Sequence, residues 1–139
     1  MKINQTKLSV QTQGRDTYEM TELVNNKVNL SNIKQGTCHI FIQHTSASLM
    51  TTECADPDVR KDLETVIQRL FPDADSEYTH TLEGPDDMSA HGRSMLTQTE
   101  ITLPVTDGRL NLGTWQGIYL WEHRFHSFDR TLIITIMGI

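Results

Sequence analysis

The segment Gly36–His44 constrains the fold more than any other. Cys38, Ile40, Phe41 and Ile42 follow one another almost without a polar break, in residue types that favour extended backbone. A strand that is apolar at successive positions has no face to give to water. It therefore reads as a central strand covered on both sides. A chain of 139 residues can supply that cover from one core, and its length fits a single domain spanning 1–139.

The rest of the chain supplies partners for that strand. Residues 2–12 alternate polar and apolar positions and read as a strand, followed by a turn over Gln13–Asp16. Leu23, Val24, Val28 and Leu30 recur at helical spacing, with Thr21 as a candidate N-cap. Asp56-Pro57-Asp58 is a stronger helix start: a capping Asp, Pro at the first helical position and an acid in the first turn. Val59, Leu63, Val66, Ile67 and Leu70 then form an apolar stripe that stops at Pro72. Residues 72–86 form a long polar loop, a kind that usually carries function or stays unstructured. Asp86 or Asp87 caps a short helix reaching about Leu96. Strands are predicted over Thr99–Thr106, Arg109–Leu112, Gly117–Arg124 and Thr131–Met137, with Asp107-Gly108 as a hairpin turn. Strands in runs predict an α+β fold: a layered, mostly antiparallel, sandwich-like sheet with two or three helices.

Charge narrows the partners. Twelve basic residues against eighteen acidic ones give a net charge of -6, and no Lys/Arg cluster occurs, so nucleic acid is not an expected partner. The N-terminal residues lack the apolar core of a signal peptide, and no run approaches a membrane span. Cys38 and Cys54 are too few for a disulfide scaffold, which predicts a cytoplasmic protein. A local Arg can still hold a phosphorylated small molecule in an acidic chain.

Three polar segments could carry chemistry. His44 ends the apolar strand, and Thr45, Ser46 and Ser48 offer hydroxyls and turning backbone N–H groups to an anion. The same residues fit a plain strand end with hydroxyl turns. His80 and His91 bracket Glu83, Asp86 and Asp87, a donor set suited to Zn, Mn, Ni or Fe, or through carboxylates to Mg. Their spacing matches no local metal motif, and a solvated acidic loop has the same composition. Adding His44 would give three imidazoles, enough for a site with an open position, if the fold brings them together. In Gly113–Gly117 the glycines admit close approach, Trp115 offers a flat face, and Thr114 and Gln116 can read polar edges; a bulge with a core Trp is the alternative. On a strand, Glu122 and Arg124 share a face opposite His123, and the plain reading of that pair is a surface ion pair of little worth.

Taken together, His44-Thr45-Ser46-Ala47-Ser48-Leu49, Asp56-Pro57 with Val59-Arg60 and Asp62, Glu83-Gly84 with Asp86-Asp87-Met88 and Ala90-His91, and Gly113-Thr114-Trp115-Gln116-Gly117-Ile118 resemble the YjbQ family, from about Gln5 to Gly138. The resemblance implies an α+β fold, a homotrimer with a polar site near the subunit boundary, and a metal, commonly zinc, at His44, His80 and His91. It also implies a weak secondary thiamine-phosphate synthase activity, which joins a pyrimidine diphosphate to a thiazole phosphate and releases pyrophosphate. On that reading His91, Glu53, Asp87 and Arg124 are catalytic. Thr45, Ser46, Ser48, Thr114, Trp115 and Gln116 bind the ligand, and Mg is a second candidate metal. The alternative is a non-catalytic protein that binds a metal or a phosphorylated metabolite.

The chain departs from the family pattern in three places. Thr52-Glu53-Cys54 stands where Asn-Glu-Asn is common, Ser89 where Pro is usual, and Gly92-Arg93 where Ile-Lys is usual. Gly92 lowers helix propensity by about 1 kcal/mol relative to Ala, which predicts a loosely held His91.

Overall fold

The computed structural model describes residues Met1–Ile139. The chain runs β1 (Lys2–Gln11), β2 (Asp16–Glu19), α1 (Thr21–Ser31), β3 (Gln35–Ile42), β4 (Ala47–Glu53), α2 (Pro57–Leu70), α3 (Asp87–Leu96), β5 (Glu100–Thr106), β6 (Arg109–Leu110), β7 (Gln116–Glu122) and β8 (Asp129–Gly138). The strands form a five-stranded sheet in the order β1-β8-β3-β5-β6 and a three-stranded sheet in the order β2-β7-β4. Every pairing is antiparallel. This is the α+β architecture that the run of strands predicts.

Strand β3 does lie centrally, between β8 and β5. Its Cys38, Ile40 and Ile42 enter a core shared with Leu49 of β4, Ile101 and Leu103 of β5, Ile118 and Leu120 of β7, Leu132, Ile134 and Ile136 of β8, and Val24 and Val28 of α1. The expectation of cover on both faces is corrected in part. Phe41, on the opposite face, is 41% exposed. Strand β7 is buried on both faces instead. Ile118 and Leu120 point between the sheets, while Tyr119 and Trp121 point outward to a second cluster with Met50 and Ile67. Helix α2 is therefore a third layer over the smaller sheet.

The helix signals divide. Asp56 caps α2 by accepting from Asp58 N at 2.9 Å, with Pro57 at the first position. Thr21 does not cap α1. Met20 holds that position, and the Thr21 hydroxyl accepts from Ile118 N of β7 instead. Asp86 is the N-cap residue of α3 but makes no side-chain cap bond, because its carboxylate is taken elsewhere. Asp107 and Gly108 turn between β5 and β6 with φ of 53° and 77°, as a hairpin with both central residues left-handed requires. Strands β2 and β4 escape prediction because Asp16–Glu19 is mostly polar and in Ala47–Thr52 only Leu49 and Met50 are large and apolar among small and hydroxyl side chains.

Close backbone approach fixes one sheet position. A Cβ on Gly36 would lie 2.0 Å from the Met137 carbonyl oxygen across the β3–β8 ladder. Backbone cannot yield there without breaking the ladder. Gly36→Ala is expected to destabilise the fold by at least about 2 kcal/mol, read as a lowered urea midpoint with an unchanged slope.

Candidate functional site

The loop over residues 72–86 carries His80 to the first turn of α3. Ala74 N donates to Pro85 O at 2.9 Å and closes the loop at its base. His80 Nε2 lies 2.6 Å from Asp87 Oδ2, and His91 Nε2 lies 3.1 Å from the same oxygen. Asp87 and His91 meet because they are four residues apart on one helix face. The three ligand atoms lie within 4.8 Å of one another, a separation that a single cation could span.

Second contacts fix each member. His91 Nδ1 donates to the Thr45 carbonyl at 2.9 Å. A neutral His91 then has only a lone pair at Nε2, and that lone pair faces carboxylate oxygen. Two acceptors in this position call for a cation between them, either a proton or a metal. The other Asp87 oxygen accepts from Arg124 Nη1 at 2.7 Å. Arg124 also reaches Asp86 Oδ2 through Nε at 3.0 Å and the Glu83 carbonyl through Nη2 at 2.9 Å. Burial raises the Asp87 carboxyl, but the His80 bond and the charges of His91 and Arg124 outweigh burial and hold it below the ordinary carboxylate range. The cluster stands between two clefts. One of about 430 Å³ is lined by His80, Tyr78, Thr81 and Met88, and one of about 230 Å³ by His91, His44, Thr45 and Thr99.

The remaining sequence candidates take other places. His44 shares the smaller cleft with His91 but is not in the cluster. Its Nε2 accepts from Thr131 N at 2.8 Å, which spends the lone pair a metal would need. Burial and the Arg130 charge lower its pKa, against an opposing Glu122. Ser46 and Ser48 are buried, bonded to Arg130 and to His123 Nε2 respectively, so of that segment Thr45 alone is exposed. Arg124 spends donors on three partners and holds Asp87 in position. It is not a free hand for phosphate, and it does not pair with Glu122 at the surface. Glu122 is fully buried and bonded to Arg130 Nη2 at 2.5 Å and to Thr12.

Glu53, Thr114, Trp115 and Gln116 sit elsewhere. Glu53 pairs with Gln116 at the start of β7, whereas Arg124 follows its end. Six residue steps of strand separate those ends by roughly 20 Å. Trp115 is 62% exposed, so it is not a core Trp, and it precedes β7, at the end away from Arg124.

Sequence reasoning missed a second polar layer behind the site. Arg15 grips Asp73 bidentately at 2.7 and 2.9 Å, and Ser89 donates to the same carboxylate. Arg93 Nη1 meets Glu64 at 2.5 Å, and Glu64 also accepts from Trp121 Nε1 at 3.0 Å. Two of the three departures from the family pattern acquire roles here. Ser89 and Arg93 bind this layer, and Gly92 leaves room for the Phe71 ring, which a Cβ would meet at 2.3 Å. His91 is therefore well held, contrary to the expectation from helix propensity. These partners lie tens of residues apart, and no local pattern marks them.

A family model described as UPF0047 protein YjbQ-like matches residues 6–139. A UPF0047 protein of Synechocystis is 44% identical over 131 residues, covering 94% of this chain and 89% of the relative. The UPF0047 protein YjbQ of Escherichia coli O157:H7 is 41% identical over 132 residues, covering 94% and 95%. Among solved structures, a YjbQ/UPF0047 family protein of Clostridium acetobutylicum superposes with a TM-score of 0.87 at 32% identity, covering 95% of this chain and 99% of that one. A YbjQ-like protein of Sulfolobus solfataricus gives 0.87 at 25% identity, covering 99% and 100%. No helix is long and apolar enough to cross a membrane.

His123 gives the site region a pH signature. Burial, then the charges of Arg93, Arg15 and Arg130, push its pKa down to about 3 from 6.5. The unfolded chain therefore binds this proton first, and stability falls as pH drops from 6.5 toward 3. His44, also lowered, adds in the same direction. Urea unfolding is expected to lose about 2 kcal/mol between pH 7 and 5 through His123, a loss that His123→Gln removes.

Proposed function

Because the chain belongs to the YjbQ-like UPF0047 family, we propose that it is a divalent-metal-dependent enzyme acting on a phosphorylated small molecule, with His80, Asp87 and His91 holding the metal. The observation that carries this reading is the His91 Nε2 lone pair set 3.1 Å from Asp87 Oδ2, with the opposite ring nitrogen locked by Thr45. Two imidazoles with one carboxylate favour Zn over Mg, which prefers oxygen donors. This set replaces the three-histidine set that the resemblance implies.

The chain's own residues would prepare the site. Thr45 sets the His91 tautomer. Arg124, itself anchored by Asp86, holds one oxygen of the Asp87 carboxylate so that the other faces the histidines. The larger cleft, with Tyr78, Thr81 and Met88 beside His80, has the volume of a small-molecule site. A bound metal would supply charge to a diphosphate as it leaves. Thiamine-phosphate synthesis, in which a carbon–oxygen bond to diphosphate breaks and a carbon–nitrogen bond to the thiazole forms, is the reaction to assay first. The two unpaired cysteines fit a cytoplasmic setting.

A homotrimer belongs to the same reading. Glu53, Thr114, Trp115 and Gln116 lie too far along β7 to serve the cluster of their own chain. They reach a histidine cluster only on a neighbouring copy. Ile3, Phe41 and Met137, exposed on the larger sheet, offer apolar surface for that contact. A second reading, a non-catalytic binder of metal or phosphorylated metabolite, is favoured by one observation. The Ser48–His123 hydroxyl–imidazole pair at 2.8 Å is buried, out of reach of a substrate.

Elemental analysis of protein purified without chelator is expected to find about one zinc per chain, lost in His91→Ala and Asp87→Asn. Metal-free wild type overturns the metal site. Thiamine phosphate formation is expected from wild type and not from His91→Ala. Equal rates remove His91 from catalysis, and tight ligand binding without turnover establishes the binder. Light scattering is expected to give three times the chain mass of 15.9 kDa. A monomer mass would exclude the shared site.

A further inference from the structure

The largest cavity, about 450 Å³, lies between α2 and the β2 edge of the smaller sheet, and its lining includes none of the residues of the histidine cluster. Its charges are unusual for a chain of net charge -6. Arg15, Arg60 and Lys61 line it, with Asp16, Glu64 and Trp121.

The hydrogen bonds show which of those charges are spent. Glu64 is neutralised, since its two oxygens accept from Arg93 and from Trp121. Arg15 is balanced by Asp73. Arg60 uses only Nη1, toward the Tyr119 hydroxyl at 3.1 Å and the Glu53 carbonyl at 3.4 Å, which leaves Nε and Nη2 without protein partners. Lys61 has one long contact, 3.4 Å to Asp58, with both side chains largely exposed. Behind Glu64, the fully buried Arg93 keeps Nε and Nη2 unpartnered. Asp16 opposes this set, with one carboxylate oxygen occupied by Thr17 N. The unspent donors therefore outnumber the unspent acceptors, around a volume larger than a bare phosphate and within the range of small-molecule sites.

We propose that this cavity is a second ligand site, one that binds the phosphate monoester or diphosphate of a small organic molecule through Arg60 and Lys61. Arg60 presents its free Nε–Nη2 edge, the geometry that pairs with two phosphate oxygens. Lys61 adds a mobile point charge, and the Trp121 indole lines the cavity for the organic part. The site does not depend on metal at His80, Asp87 and His91.

Calorimetric titration of the whole chain with inorganic pyrophosphate, in the presence of a chelator, tests this. One saturable event per chain is expected in wild type and equally in His91→Ala, weakening as salt is raised. Arg60→Gln combined with Lys61→Glu is expected to weaken it at least about tenfold, and Asp16→Asn to tighten it about threefold. Lys61→Glu alone changes an exposed side chain and carries the test if the Arg60 change unfolds the protein. Absence of saturable binding in wild type, binding unchanged by Lys61→Glu, or binding lost in His91→Ala each overturns the proposal. The last result would move the anion to the histidine cluster.

Discussion

The contact of Arg124 with Asp86 and Asp87 is the interaction on which the rest of the site depends. Both carboxylates are buried at the start of α3, where water cannot solvate them. Buried charge without a partner costs several kcal/mol, so one guanidinium with bonds to both acids decides whether this corner can exist. The positive end of α3 helps, since acids in a first turn are favoured there. Phe125 N adds a further bond to Asp86 at 2.8 Å. Removing Arg124 would leave two like charges about one helix turn from His91.

A second buried pair anchors the approach to that corner. Glu122 bonds Arg130, Thr12 and the backbone N–H groups of His123 and Arg124. It thereby turns the chain out of β7 and aims Arg124 at α3. Arg130 in turn holds both the carbonyl and the hydroxyl of Ser46, which fixes the segment whose Thr45 carbonyl orients His91. The histidine cluster is thus placed by charges several residues removed from it. This is why the polar interior is large for a chain with a modest apolar share.

The smaller sheet organises three distinct polar regions. At the outgoing end of β7 lie Arg124, Asp87 and the histidines; at its start lie Glu53, Trp115 and Gln116. Helix α2, packed across the same sheet, contributes Arg60 and Lys61 to a third region. Each uses a different consequence of one element: β7 is buried on both faces, so its ends and flanks are where polar groups gather.

The sequence by itself determined the elements with strong local signals. Asp56-Pro57-Asp58 starts a helix because cap, fixed φ and dipole all act within one turn, and Asp107-Gly108 turns a hairpin for equally local reasons. It also marked the polar stretch from His80 to His91 as a candidate site, and the four-residue step from Asp87 to His91 puts those two on one helix face, but the fold brought His80 to them and left His44 out. Tertiary structure decided the rest. Pattern could not reveal that His44 spends its lone pair on Thr131, that Arg124 turns to Asp86 rather than to Glu122, or that Arg130 and Arg93 are buried. Those outcomes depend on partners as many as 87 positions away along the chain, and a buried charge reveals itself only through the partner that compensates it. Nor could it separate Trp115 from the histidines, because Trp115 precedes β7 while Arg124, which bonds Asp87 of the cluster, follows it.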